Sequence, residues 1–228
     1  MKTCILLGDR SDIAKALLPQ LVADGWTVHG WNRDGVFLPV VQWDLFLCAI
    51  GRVSPVGPWH KQSRDDIAGC VNSNLLLPIE LLRVLWPKRN KGASVCMMAG
   101  ANPNHPMDGY LAYALGKMAL LKFVEHADQE SQDTKIFAVA PGYVRDSKIH
   151  APSLEAMRLG KVKNYRIERG DAGTPIERIH KTIMWAVSQD KAVIGGRNLC
   201  ASDDWDTNQN LADELRSDNS KFKLRRIE

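Results

Sequence analysis

No hydrophobic run in this sequence approaches the length of a membrane span, and the stretch Leu45-Phe46-Leu47-Cys48-Ala49-Ile50-Gly51 is far too short to cross a bilayer. No membrane partner is therefore expected. The apolar start, Met1 to Gly8, is broken by Asp9, Arg10 and Asp12 too early for a signal peptide. The five cysteines, at positions 4, 48, 70, 96 and 200, are odd in number, scattered and mostly within apolar runs. They exclude a disulfide framework and imply free thiols in a reducing cytoplasm. No histidine or acid cluster has metal-ligand spacing, so no metal is expected. Charge of one sign is also lacking: a net +4 does not argue for nucleic acid. The seven tryptophans are spread through the expected core elements and do not form a stacking platform for single strands. No internal repeat or linker divides the chain. With 45% hydrophobic and 25% charged residues, its 228 residues suit one compact domain with a sizeable core.

Apolar runs alternate with helical patterns. Strands are expected at residues 3–8, 26–31, 45–50, 94–99 and 135–140, with a last one inside 192–201. Helices are expected at 11–23, 65–85, 109–129 and 175–187, the first ended by Gly25 and the second by Pro87. Residues 143–173 are polar and irregular, and 206–228 form a C-terminal extension. Strands that are apolar throughout are buried on both faces. The fold class is therefore α/β: a single Rossmann-type, doubly wound parallel sheet with helices on both faces.

Two places carry chemistry. The first turn reads Gly8-Asp9-Arg10-Ser11-Asp12-Ile13-Ala14. Its glycine permits a tight turn beneath a pyrophosphate, and the helix N-terminus that follows offers free N–H groups. Only one of the usual three glycines is present, and a plain turn capped by Ser11 or Asp12 accounts for the same residues. The second strand ends Gly30-Trp31-Asn32-Arg33. Arg33, assisted by Arg10, suits a 2′-phosphate, which favours NADP over NAD; a solvated loop arginine is the competing reading. The second place is Tyr113-Ala-Leu-Gly-Lys117. Positions i and i+4 share a helix face, where an ammonium favours the phenolate and makes the tyrosine a usable acid at neutral pH.

With Gly8-x3-Asp12-Ile13-Ala14, Cys48-Ala49-Ile50-Gly51, Asn72-Ser73-Asn74-Leu75, Tyr113-x3-Lys117 and Pro141-Gly142-Tyr143-Val144 in this order, the chain resembles the short-chain dehydrogenase/reductase family over nearly its whole length. The segment Gly195-Gly196-Arg197-Asn198-Leu199-Cys200-Ala201, then Asp203-Asp204-Trp205 and Leu224-Arg225-Arg226-Ile227, resembles a bacterial subgroup that accompanies polysaccharide and nucleotide-sugar biosynthesis. The resemblance implies an NADP-dependent oxidoreductase, with NAD as the alternative cofactor, interconverting a small-molecule carbonyl and alcohol. Tyr113 would be the general acid. Lys117 would lower its pKa and hold the nicotinamide ribose, and Asn74 would hold a relay water. Gly8, Arg10, Ser11, Asp12, Ile13, Asn32, Arg33, Ala49, Ile50, Gly51, Pro141, Gly142 and Val144 would line the cofactor. A homodimer or homotetramer through the two long helices would follow.

The family's catalytic serine, thirteen residues before the tyrosine, is Gly100 here. Asn102 or a backbone N–H of that turn is the expected replacement donor, and Tyr143, with Tyr110 and His105, faces the substrate. Asp146 stands where a threonine is usual, and the short 33–44 segment leaves Val36-Phe37-Leu38 as a remnant strand. The basic 145–169 segment suits an anionic substrate such as a nucleotide-linked sugar, or is a solvated loop. Asp203-Asp204-Trp205 reads as a capping loop with a packed tryptophan, and the basic tail as a subunit contact or solvated end. Because of Gly100 and the thin glycine loop, the competing function is a catalytically silent nucleotide-binding or interaction module.

Overall fold

The computed structural model describes residues 2–32, 34, 41–100, 105–145, 147–163 and 171–225. The expected remnant strand at 36–38, and the site candidates Arg33 and Asn102, lie outside them, as do Asp146, Arg166 and Arg169.

Six parallel strands form one sheet: β1 (Lys2–Leu7), β2 (Trp26–Trp31), β3 (Trp43–Cys48), β4 (Arg89–Met98), β5 (Lys135–Ala140) and β6 (Asn198–Cys200). Their order is β2-β1-β3-β4-β5-β6. The winding reverses between β1 and β3, so the two adjoining strand ends open a crevice at their carboxyl edge. The central strands are buried on both faces, as their unbroken apolar sequence requires: Ile5, Leu6, Leu7, Leu45, Phe46 and Leu47 are at most 1% exposed.

Two cores result, one on each face. Helix α1 (Asp12–Ala23) and helix α6 (Ile176–Ser188) cover the first through Ala14, Leu17, Leu21, Ile179 and Ile183. The second is covered by α3 (Leu77–Leu85) and α4 (Leu111–Glu130) through Leu81, Leu82, Leu85, Leu120 and Val124, and α2 (Arg64–Val71) packs on α4. Trp43 anchors it by donating Nε1–H to the Leu85 carbonyl at 2.9 Å. Ser11 caps α1 by accepting from the Ala14 N–H at 3.2 Å, which is the capping role its position promised.

Helices α2 and α3 form one rod, joined by a π turn over Asn72–Leu76. By length and composition Arg64–Lys88 could cross a membrane, contrary to the expectation that nothing approaches a span. Its inward side, with Cys70, Asn74, Leu81, Leu82 and Leu85, is packed into the domain. Its outward side keeps Leu76 and Val84 about half exposed. The length was expected from the 65–85 helical pattern, and Asn72-Ser73-Asn74 interrupts its apolar run.

Three further differences have local causes. β4 starts at Arg89, five residues before the expected Ser94, because a polar lead-in pairs Trp43 with Arg89 before the register shifts. Helix α5 (Ala151–Arg158) and helix α8 (Leu211–Ser217) occupy stretches read as irregular or left unassigned, and α7 (Lys191–Ile194) is a single turn. The described part of the basic tail, up to Arg225, folds back on α4. Arg225 makes a two-pronged ion pair with Glu125 of α4, and Lys122 Nζ donates to the Leu224 carbonyl at 2.8 Å. The Glu125 carboxyl is held down to about 2, first by Arg225 and then by Lys122. Arg197, 2% exposed, donates to the Leu215 and Lys221 carbonyls. The Gly-Gly-Arg segment is thus architectural: it fastens the C-terminal extension. Trp205 packs as expected, 7% exposed, its ring tilted against that of Trp185 with centroids 5.1 Å apart, and donates to Thr182 Oγ1.

Candidate active site

The site is built from four chain segments at the carboxyl edge of the sheet. Helix α4 begins just after β4 and turns Tyr113 and Lys117 toward that edge, one turn apart. Lys117 is 3% exposed, and its Nζ donates to the Met98 carbonyl at 2.7 Å and the Ile50 carbonyl at 3.3 Å. The ammonium thus ties together the exits of β3 and β4. Burial lowers its pKa to about 8, against smaller opposing effects of Cys48 and Cys70. Those two thiols were not anticipated beside the site. Cys70 lies one helical turn before Asn74, a spacing that places both on one face.

Tyr113 lies against Gly100. A Cβ added to Gly100 would collide with the Tyr113 hydroxyl and lie 3.4 Å from its Cζ. The hydroxyl therefore occupies the space a serine side chain at position 100 would need. The Tyr113 pKa is pushed up to about 12, mainly by burial and secondarily by Cys70. This reverses the expectation that Lys117 would favour the phenolate. The ammonium is directed at two main-chain carbonyls, and desolvation of the phenol outweighs it.

Asn74 is fully buried in the π turn. Its Nδ2 donates to the Arg52 carbonyl at 2.7 Å and the Cys70 carbonyl at 2.9 Å, and its Oδ1 accepts from the Arg52 N–H at 3.2 Å. Both amide hydrogens are engaged by the main chain, so the Asn74 side chain fixes the chain leaving β3. Gly116 makes this possible, since a Cβ there would come within 2.9 Å of Asn74 Cβ. Gly116→Ala is expected to cost about 1–3 kcal/mol through overpacking, despite alanine's better helix propensity. Thermal unfolding measures it, and an unchanged or raised midpoint would contradict the packing argument.

At the nucleotide end, Gly8 has φ +77° and approaches Ala49: a Cβ there would lie 3.1 Å from the Ala49 carbonyl. Only glycine suits both the backbone angle and the contact. Ala14, at the third glycine place of the turn, is fully buried against the sheet. Ile13 packs partly buried on the same core. Asn32 donates to Asp9 at 2.9 Å and accepts from the Asp34 N–H at 2.9 Å. Arg10 is paired with Asp34, both largely exposed. An exposed pair contributes about 0–1 kcal/mol, so this arginine exchanges partners at small cost.

Pro141 and Gly142 follow β5. Gly142, φ +75°, is walled in by Thr174 and Ser202, and with Tyr143 these line a cavity of ≈ 360 Å³. Val144 packs on the α1-side core, and the Tyr143 ring lies 4.9 Å from that of His150. Tyr110 is buried at the start of α4, and His105 is exposed. A larger cavity of ≈ 670 Å³, between α6 and the C-terminal extension, includes none of the candidate residues.

The 147–163 segment lies across the crevice as the sequence led one to expect. Ser147 and Lys148 meet Asp12, Ile149 Cδ1 lies 3.3 Å from a Cβ built on Gly51, and Val162 covers Gly109. Of the expected site residues, Gly51, Ile50, Asn74, Gly100, Tyr113 and Lys117 converge at the exits of β3 and β4. Gly8 and Asp12 border them across β1.

The residues fit a dinucleotide at the turn of Gly8, the N-terminus of α1 and the Lys117 ammonium. Asp12 is the exception, since its carboxylate stands at the second glycine place, where the backbone normally approaches pyrophosphate.

No family model matches the chain, and no curated protein does. Solved structures share its fold. A short-chain dehydrogenase/reductase from Saccharomyces cerevisiae has a TM-score of 0.76 at 17% identity, covering 98% of this chain and 100% of the other. A short-chain dehydrogenase family protein from Francisella tularensis subsp. tularensis has a TM-score of 0.73 at 16% identity, covering 88% and 96%. A small-chain dehydrogenase in complex with NADPH has a TM-score of 0.72 at 14% identity, covering 87% and 95%.

Proposed function

We propose that this chain is an NADP-dependent oxidoreductase of the short-chain type, reducing a carbonyl to a hydroxyl on an anionic small molecule such as a nucleotide-linked sugar. The observation that carries this reading is the buried Lys117 ammonium, fastened to the exits of β3 and β4, one helical turn from a tyrosine hydroxyl at the same edge. Bound NADPH would supply the hydride. The chain's own residues supply position and a proton. Tyr113 keeps its proton at neutral pH, so it can act as an acid toward a developing alkoxide. Lys117 holds its place through the Met98 and Ile50 carbonyls and offers its remaining N–H to a ribose hydroxyl. The preference for NADP rests on Arg33 and on the exchangeable Arg10.

Lys148, Lys161 and Lys163 in the covering segment support an anionic substrate. The five unpaired thiols suit a reducing compartment such as the cytoplasm. Leu76 in the π turn, Val84 on α3, and Leu111 and Leu115 on α4 are 38–54% exposed and fit a second copy of the chain. Light scattering is expected to give a dimer or tetramer, and a monomer at micromolar concentration would remove this part.

The function is tested by titrating NADPH and NADH against intrinsic fluorescence and melting temperature. NADPH is expected to bind and stabilise, more strongly than NADH. A chain that responds to neither is not this enzyme. The second reading, a silent module, is favoured by the carboxylate at position 12, and that outcome would support it.

The Lys117 pKa also governs stability. Its folded value of about 8 lies below the ordinary lysine value of 10.5, so the unfolded chain binds the extra proton between these pH values. This group's contribution is full above the unfolded pKa and is lost as pH falls through the folded one. From pH 8 to 10, the wild type is expected to gain stability relative to Lys117→Met. Parallel denaturation curves for the two proteins would refute the assignment.

A further inference from the structure

The crevice between the β1 and β3 ends is filled by the chain itself. The turn Ser147–His150, which follows β5, enters it and is held from both sides. On the β1 side, Asp12 Oδ2 accepts from the Lys148 N–H at 2.7 Å and from Ser147 Oγ at 3.2 Å, bridging more than 130 residues of sequence. On the β3 side, Ile149 packs over Gly51. Asp12 is the first residue of α1, so its carboxylate already occupies the electropositive helix N-terminus. No phosphate fits between an oxygen and a nitrogen 2.7 Å apart, and this is where a pyrophosphate would approach the loop.

We propose that Asp12 is a gating residue: its carboxylate stands in for a phosphate, latches the Ser147–His150 turn into the crevice, and must release it before a nucleoside diphosphate group can enter. This rests on the cofactor reading given above. The consequence is an affinity reduced by the fraction of molecules whose latch is closed, and a covering segment that is freed as the nucleotide enters. Glycine at position 12 would leave the turn untethered, and the site would then be open to any dinucleotide. Aspartate makes entry conditional on a ligand that replaces its two hydrogen bonds and its charge.

Two variants break the latch from opposite ends. Asp12→Asn keeps the size but weakens the acceptor and removes the charge. Lys148→Pro removes the N–H donor at the first position of a 3-10 turn, where proline is tolerated. Ser147 before it is already extended at φ −72°, ψ 130°, as a residue preceding proline requires. Hydrogen exchange of the peptide spanning 147–150, measured without nucleotide on Asp12→Asn, and of the flanking 149–163 amides on Lys148→Pro, is expected to quicken in both. NADPH titrated by fluorescence is expected to bind Asp12→Asn about fivefold to a hundredfold more tightly than wild type, the usual range for coupled equilibria. Unchanged exchange in both variants overturns the latch, whatever NADPH does. Faster exchange with no gain in NADPH affinity, where the wild type binds NADPH, overturns the gate. Binding by Asp12→Asn but not by wild type supports both gate and cofactor reading. Faster exchange with NADPH bound by neither protein sinks the cofactor reading and the gate with it.

Discussion

Tyr113→Phe is expected to reduce turnover on a carbonyl substrate by about a hundredfold to ten-thousandfold, the range that a positioned general acid contributes. The substitution removes one oxygen and leaves the ring in its half-buried place, so NADPH affinity and melting temperature should stay near those of wild type. The contrast distinguishes chemistry from folding. Equal turnover in the two proteins would show that another group delivers the proton, and the half-buried phenol would then be a packing residue. The hydroxyl serves the same transition state in both directions, so its loss should slow reduction and oxidation alike.

The second expected result concerns a residue that would pass for a defect. Gly100→Ser puts back the side chain that the family resemblance implies, yet turnover is expected to fall by on the order of a hundredfold, as for a reacting group misplaced by about 1 Å. The reason is steric. Any Cβ at position 100 collides with the Tyr113 hydroxyl, and the ring must swing away from the edge of β4 to accept it. Gly100→Ala should therefore lose nearly as much as Gly100→Ser, because the collision begins at Cβ and not at the hydroxyl. If serine raises turnover and alanine lowers it, Gly100 is a lost oxyanion donor, which is worth a similar hundredfold or more when present. The tyrosine and the glycine would then not be a matched pair.

These two residues show where the sequence sufficed and where it did not. Tyr113 and Lys117 were recognisable because four residues on a helix fix a shared face whatever surrounds it. The sheet was recognisable for a similar reason: buried parallel strands require unbroken apolar runs, and those of β1, β3 and β5 are plain in the chain. The shortness of the stretch between β2 and β3 also showed, as a simple count of residues. Such features depend on local periodicity and length, which the linear chain carries in full.

The remainder depended on residues far apart in the chain. The direction of the Tyr113 pKa follows from how much protein surrounds the phenol, and spacing to a lysine carries no measure of burial. The occupation of Asn74 by Arg52 and Cys70 needs the π turn and the approach of Gly116, neither of which periodicity reveals. Arg197 reads as part of a motif, and only its burial against the carbonyls of Leu215 and Lys221 shows that it fastens the C-terminal extension. Asp12 reads as a helix cap or a thin glycine loop until residues 147 and 148 fold back onto it. By itself the sequence determined the six strands, their alternation with the long helices and the pairing of a tyrosine with a lysine, because these are set by neighbours within a few turns. The tertiary structure decided what the carboxylate, the glycine and the asparagine do, because burial and long-range hydrogen bonds exist only once distant segments meet.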